Sequence, residues 1–243
     1  MKITVVAEIG SNWEGNIIKA KKIIRECKKS GADAVKFQMW RANDLYDAKH
    51  PSWKVIKKSE LAFNQASILK KFADKIKIDF FCSAFFPEAV DLLESINVKK
   101  YKIASRTCLL KDPFALETLK KKASTKKPII ISMGMGGNKK KMVKIFSKNN
   151  KTFCYCISEY PLEFKKIDWA TALQNDGFSD HTVGIMAPII FTILKKIKNS
   201  KKIYIEKHVK LKNSKGPDAS TSITTEQLKE LISQIRIIEK FGF

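Results

Sequence analysis

Arginine is scarce in this sequence. Only four of the 47 basic residues are Arg (25, 41, 106 and 236), against 24 acidic residues, so the net charge of +23 is carried almost wholly by Lys. Arg is the better reader of bases and phosphates because its planar fork bonds two acceptors at once. The lysines are spread along the whole chain rather than gathered in one patch. In the pattern Ile17, Ala20, Ile24, Cys27, the interleaved Lys19, Lys21, Lys22, Lys28 and Lys29 fall on the other, solvated faces. Nucleic acid is therefore not the expected partner, although a positive field would draw in small anionic substrates. Salt-dependent retention on a polyanion, against an equally Lys-rich control, is the test of an RNA-binding alternative.

A long apolar run is also missing. The longest, Val183 to Leu194, has 12 residues and contains Pro188, whereas a spanning helix needs about 20. No membrane association is expected. The N-terminus MKITVVAEIG enters a strand pattern directly, without the longer apolar run and small-residue cleavage site of a secretory signal. Five cysteines (27, 82, 108, 154 and 156) are an odd number without ligand-like CxxC spacing. Reduced thiols and a cytoplasmic location are the expectation. No Pro/Gly/Ser-rich linker divides the chain, so residues 1–243 read as one domain.

What is present is alternation. Strand patterns at Ile3–Ile9, Ala32–Gln38, Asp79–Ser83, Lys100–Ala104, Pro128–Ser132, Thr152–Ser158, Gly177–Asp180 and Lys202–Lys207 alternate with helix-period segments. Residues 41–58 read as a loop. Eight βα units at about 30 residues each predict an α/β fold, a closed (β/α)8 TIM barrel.

In such a barrel the site lies at the C-terminal ends of the strands. Those ends carry Glu8; Lys36 and Gln38; Cys82 and Ser83; Lys102 and Ser105; Ser132; Ser158, with Tyr160 beyond; Asp180 and His181; and Glu206, Lys207 and His208. His181 and His208 close adjacent strands, about 4.8 Å apart, and could share one divalent ion. The alternative is that each is a hydrogen-bonded core or rim residue. His50, beside Pro51, reads as a surface residue. Lys36 and Lys102 lie in apolar strands and need anionic partners. They could cradle a phosphate and carboxylate with Ser83, Ser105 and Ser132, pair internally with Glu8 or Glu206, or form a Schiff base. MGMGG, at 133–137, lacks the Lys and Ser/Thr of a phosphate loop, and its GxGG spacing is not a dinucleotide fingerprint.

Eight segments then resemble the sialic acid synthase family, including its legionaminic and pseudaminic acid synthases, in family order: AEIGSNWEGN at 7–16, GADAVKFQ at 31–38, YKIAS at 101–105, PIIISMGM at 128–135, SEYP at 158–161, SDHT at 179–182, IEKH at 205–208 and GPDAS at 216–220. The resemblance implies a barrel enzyme, a C–C bond-forming transferase. It would condense phosphoenolpyruvate with an N-acetylated hexose such as N-acetylmannosamine, giving a nine-carbon 2-keto sugar acid. Phosphate would leave by C–O cleavage.

It implies a divalent metal at His181 and His208, usually Mn2+, with Mg2+ or Co2+ as alternatives. It puts Lys36, Lys102, Ser105, Ser132 and Ser179 on phosphoenolpyruvate-binding positions, with Ser83 in place of a usual Thr and Ser158 in place of an Asn. Glu8 falls on the residue taken to manage proton transfer, and Gln38, Tyr160 and Asp218 around the acceptor sugar. Glu206 is expected at the substrate site. The family dimerises, so a homodimer is expected.

The sequence also departs from the family pattern. Arg106 and Thr107 stand where Gly and a sugar-holding Glu are usual, Met133 where Thr is usual, and Asn12-Trp13-Glu14-Gly15 where NHxG is usual. The family's antifreeze-like domain, expected after the barrel, has no counterpart in these residues. A different aldehyde sugar as acceptor, or a degenerate barrel serving as a binding or regulatory protein, are the other readings.

Overall fold

Strand β1 (Ile3–Glu8) is hydrogen-bonded to β2 (Ala34–Met39) on one side and to β8 (Ile203–Lys210) on the other, and the second pairing closes the sheet. Between them run β3 (Asp79–Ala84), β4 (Tyr101–Ile103), β5 (Ile129–Ser132), β6 (Lys151–Tyr155) and β7 (Gly177–Asp180). All neighbours are parallel, in sequence order. The structure, a computed structural model, describes residues 3–241. Among them no helix is long and apolar enough to cross a membrane.

The connecting helices are α1 (Ile17–Lys29), α4 (Phe63–Lys75), α5 (Pro87–Ser95), α6 (Ala115–Ser124), α7 (Lys139–Ile145), α8 (Trp169–Ala172), α9 (Met186–Ile197) and α10 (Thr225–Lys240). Their ends follow local chemistry. The Asn16 side chain accepts from Lys19 N at the start of α1, with Lys28 and Lys29 in its last turn. Thr224 and Gln227 form a capping box at α10. Pro188 falls in the first turn of α9, where a missing N–H costs little.

The period-two alternation of the strands separates two layers of side chains. Val5, Ala7, Val35, Phe37, Phe80, Ile103, Ile131, Phe178 and Ile205 point outward and pack under the helices. Val6, Ala34, Phe81, Ile130, Cys154 and Tyr204 point inward and form a separate apolar plug within the barrel. Continuing that inward parity by two residues up each strand reaches Glu8, Lys36, Ser83, Lys102 by its pairing with Ser83, Ser132, Cys156 and Glu206. The site is the next layer above an apolar floor.

Three regions differ from the sequence expectation. The predicted loop 41–58 contains two short helices, α2 (Ala42–Leu45) and α3 (Trp53–Lys58). Both are too short to show a hydrophobic period. Strand β6 stops at Tyr155, three residues before Ser158. Strand β8 runs on to Lys210 and pairs there with an added strand, β9 (Ile223–Thr224). The chain between them carries Asp218 back over the barrel mouth, in a 3-10 turn at Pro217–Ser220.

Candidate active site

A cavity of about 390 Å3 opens at the C-terminal ends of the strands, and every predicted site residue except Glu8 lines it. Glu8 is fully buried beside that lining and joined to it by two contacts. Its Oε1 accepts from Gln38 Nε2 at 2.9 Å, and its Oε2 lies 2.8 Å from Lys36 Nζ.

The two buried lysines are paired internally, one of the arrangements weighed from the sequence. Glu206 Oε1 accepts from Lys36 at 3.0 Å, from Lys102 at 2.8 Å and from Ser179 Oγ at 3.0 Å, while its Oε2 accepts from Tyr204 at 2.8 Å. Glu206 thus lines the cavity with its oxygens already engaged, and holds two ammonium groups side by side. Burial opposes its ionisation, but the Lys102 and Lys36 charges hold its carboxyl well below the usual carboxylate range. Burial likewise opposes the charge on Lys36, and Glu206 and Glu8 outweigh it, raising its pKa. Glu8 goes the other way: burial raises its carboxyl above the ordinary value, against the pull of Lys36 and with the push of Glu206. One carboxylate is fixed as an anion and the other is disposed to hold a proton, a division suited to acid–base work.

His181 and His208 follow directly on the paired positions Asp180 and Lys207 of β7 and β8, and their ring centroids are 5.4 Å apart. Burial pushes His208 down to about 3, so its imidazole is neutral, and its Nδ1 is buried without a hydrogen-bond partner. His181 Nδ1 lies 2.7 Å from the Ile157 carbonyl, a contact that fixes the ring and leaves Nε2 for a ligand. Tyr160 packs on the His181 ring at 4.2 Å and edge-on to His208 at 5.9 Å. The two imidazoles suit a divalent ion that completes its coordination with water and substrate oxygens. No group of three His, Cys, Asp or Glu side chains among the described residues forms a closed metal site.

Three buried polar atoms on the cavity wall have no partner among the described residues: Ser83 Oγ, Ser132 Oγ and His208 Nδ1. An unsatisfied buried polar atom costs about 1–3 kcal/mol, so such a cluster marks where a polar ligand docks. Ser105 Oγ accepts from Gly134 N at 2.9 Å. Asp218 is drawn in by Ser11, whose N and Oγ donate to its Oδ2 at 2.8 and 2.6 Å. Gly10 (φ +50°) permits this approach, because a Cβ there would lie 2.5 Å from that oxygen. Ser158 is half-buried on the lining.

Other residues at the site were not singled out in the sequence. Cys156 lines the cavity with its Sγ 3.7 Å from Ser105 Oγ and 3.9 Å from His181 Nδ1. Its inward parity with Cys154 was the available signal. Trp40, Leu45, Ile56 and Phe85 form an apolar wall, and Tyr46 stands at the mouth beside Arg106, which the sequence had marked as a departure from the family pattern. His50 is exposed as expected, but on the lining.

A closed (β/α)8 barrel that gathers two buried carboxylates, two buried lysines and two imidazoles at the C-terminal ends of its strands has the build of a barrel enzyme. Comparison with known proteins gives the kind. A profile of the NeuB family matches residues 23–242. The N,N'-diacetyllegionaminic acid synthase of Campylobacter jejuni is 33% identical over 98% of this chain and 77% of its own length. The human N-acetylneuraminate-9-phosphate synthase is 29% identical over 97% of this chain and 70% of its own. The crystal structure of an N-acetylneuraminic acid (sialic acid) synthetase from Leptospira borgpetersenii, in complex with citrate, superposes with a TM-score of 0.87 at 24% identity, covering 99% of this chain and 85% of that one, which shows the shared barrel. The chain belongs to the NeuB family of sialic-acid-type synthases.

Proposed function

We propose that the protein condenses phosphoenolpyruvate with the open-chain aldehyde of an N-acetylated hexose, giving a 2-keto sugar acid three carbons longer and inorganic phosphate. The observation that carries this reading is the trio of unpartnered buried atoms, Ser83 Oγ, Ser132 Oγ and His208 Nδ1, on residues that line one cavity together with the paired ammoniums of Lys36 and Lys102. Hydroxyls without partners beside cations are what a phosphate and a carboxylate satisfy.

The residues then have distinct tasks. Lys36 and Lys102 offset the charge of the enolpyruvate; with Glu206 engaging both, neither is free for a Schiff base. Ser83, Ser105 and Ser132 bind its oxygens, with Ser158 and Ser179 beside them. Gln38, Tyr160 and Asp218 orient the sugar. His181 and His208 would hold a divalent ion, Mn2+ first, which when bound supplies Lewis-acid polarisation of the aldehyde. C3 of phosphoenolpyruvate attacks the aldehyde carbon, and the aldehyde oxygen takes the proton that the buried Glu8 carboxyl holds. Water adds at C2, its proton passing to the carboxylate that Glu8 has become. The C2–O bond to phosphate then breaks, the proton of the C2 hydroxyl leaves with the phosphate, and the ketone remains.

The test incubates the full chain with Mn2+, phosphoenolpyruvate and a panel of N-acetylhexosamines. Acceptor-dependent loss of phosphoenolpyruvate with a keto-acid product heavier by three carbons is expected. Phosphoenolpyruvate that stays intact with every acceptor, while metal is bound, overturns the proposal in favour of a binding protein.

A further inference from the structure

Away from the charged floor, the cavity mouth carries a second polar cluster. Arg106 follows Ser105 at the end of β4, and its guanidinium carbon lies 5.5 Å from the ring centroid of Tyr46. His50 packs edge-on against the same ring at 5.7 Å. All three line the cavity.

Their hydrogen bonding is one-sided. Both oxygens of Asp112 accept from Arg106 Nε at 2.8 Å, while Nη1 and Nη2 donate to no described residue. A guanidinium held only for structure would present its two-pronged edge to the carboxylate. Here that edge is left over. His50 Nδ1 accepts from Ser52 N at 3.1 Å, which puts the proton on Nε2, and that N–H also has no acceptor among the described residues. Burial, then the Asp218 charge, raises the Tyr46 pKa, so its hydroxyl remains a donor. Around one opening there are thus a cation, an imidazole N–H and a phenol, all donors.

We infer that Arg106, His50 and Tyr46 form a subsite for an anionic group, a phosphate monoester or a carboxylate, at the end of the acceptor sugar remote from its aldehyde. This rests on reading the cavity as the acceptor site of a synthase. It selects among acceptors that family membership leaves open. Phosphoenolpyruvate brings its own anions to the Lys36–Lys102 floor, so the mouth serves the other substrate.

The experiment compares three acceptors, an N-acetylhexosamine, its 6-phosphate and its 6-carboxylate, by loss of the enolpyruvate absorbance with the protein in the presence of Mn2+. A kcat/KM at least tenfold higher for one or both anionic acceptors is expected, and the preferred one identifies the group. Arg106→Ala should bring the anionic-to-neutral ratio close to one, mainly through KM, and Arg106→Lys should recover part of it. A neutral acceptor used as well as both anionic ones, or a ratio unmoved in Arg106→Ala, overturns the inference. If no acceptor consumes phosphoenolpyruvate, the synthase reading fails separately. Calorimetric binding of the same sugars to the phosphoenolpyruvate-loaded protein then decides: tighter binding of an anionic sugar supports the subsite, and equal binding removes it.

Discussion

Asp180 and Lys207 face each other across β7 and β8 with Oδ2 and Nζ 2.6 Å apart and no exposed surface on either side chain. They lie on the wall opposite the cavity, because Ser179, His181, Glu206 and His208 on either side of them point in. Each directly precedes one of the two imidazoles. Asp180 also accepts from Thr182 N, and Lys207 donates to the Thr182 carbonyl. The pair sets the register from which both histidines project.

Lys207→Met should destabilise the protein by about 3–5 kcal/mol, since it leaves a buried carboxylate uncompensated. Adding Asp180→Asn should recover part of that loss. Urea unfolding gives the energies, and Mn2+ titration should show weaker metal binding in the folded single variant. A single variant as stable as the parent contradicts the account.

Ser83→Ala and Ser132→Ala should behave differently from ordinary core polar deletions. Neither hydroxyl has a partner among the described residues, so its removal loses no protein hydrogen bond and relieves a desolvated group. Stability should stay within about 0.5 kcal/mol or rise. The KM for phosphoenolpyruvate should rise about three- to thirtyfold, at about 0.5–2 kcal/mol per lost ligand bond. Steady-state kinetics and thermal unfolding on the same preparations check both halves.

Glu8→Gln should keep the fold and lose the reaction. Burial raises the Glu8 carboxyl, so a neutral amide is a tolerable substitute for packing. The amide can neither give a proton to the aldehyde oxygen nor take one from the adding water. A fall in kcat on the order of a hundredfold or more, with a smaller change in KM, is expected in a phosphoenolpyruvate-consumption assay.

His208 predicts a pH dependence of the metal-free protein. Its folded pKa is about 3, against about 6.5 in an unfolded chain. Below about 6.5 the unfolded state therefore binds the extra proton and the folded state does not, so stability falls with pH from there towards about 3. Between pH 6.5 and 5 this one group should remove about 1.5 kcal/mol. His181 is shifted upward, with burial overcome by Cys156, and acts in the opposite sense. The comparison is therefore wild type against His208→Gln, with His181 kept. Equal acid sensitivity in the two contradicts the assignment.

The barrel was legible because strand alternation and helix period recur eight times. The inward layer was legible because a Lys in the apolar runs AVKFQ or YKIAS has to find a carboxylate. What stayed hidden depends on tertiary placement. Lys122 lies in a run of three lysines that reads as a solvated face, yet it is fully buried, its Nζ donating to the Ala84 and Lys102 carbonyls at 2.7 and 3.2 Å. It spans β3 and β4 where their register is a single pair, Ser83 with Lys102, and burial lowers its pKa to about 7. The wall formed by α2 and α3 was unreadable because helices of four and six residues have no period to detect. Their place over the cavity comes from the folded chain, as does the turn that brings Asp218 to Ser11 from 207 residues away.

The proposed reaction joins the enolpyruvate carbon to an aldehyde in this cavity and releases phosphate with its bridging oxygen. Phosphoenolpyruvate labelled with 18O at that oxygen, turned over with the preferred acceptor, tests it most directly. The label is expected to leave in inorganic phosphate while the keto acid takes its C2 oxygen from water. Label kept on C2 of the product, or no carbon–carbon bond formed at all, would contradict it.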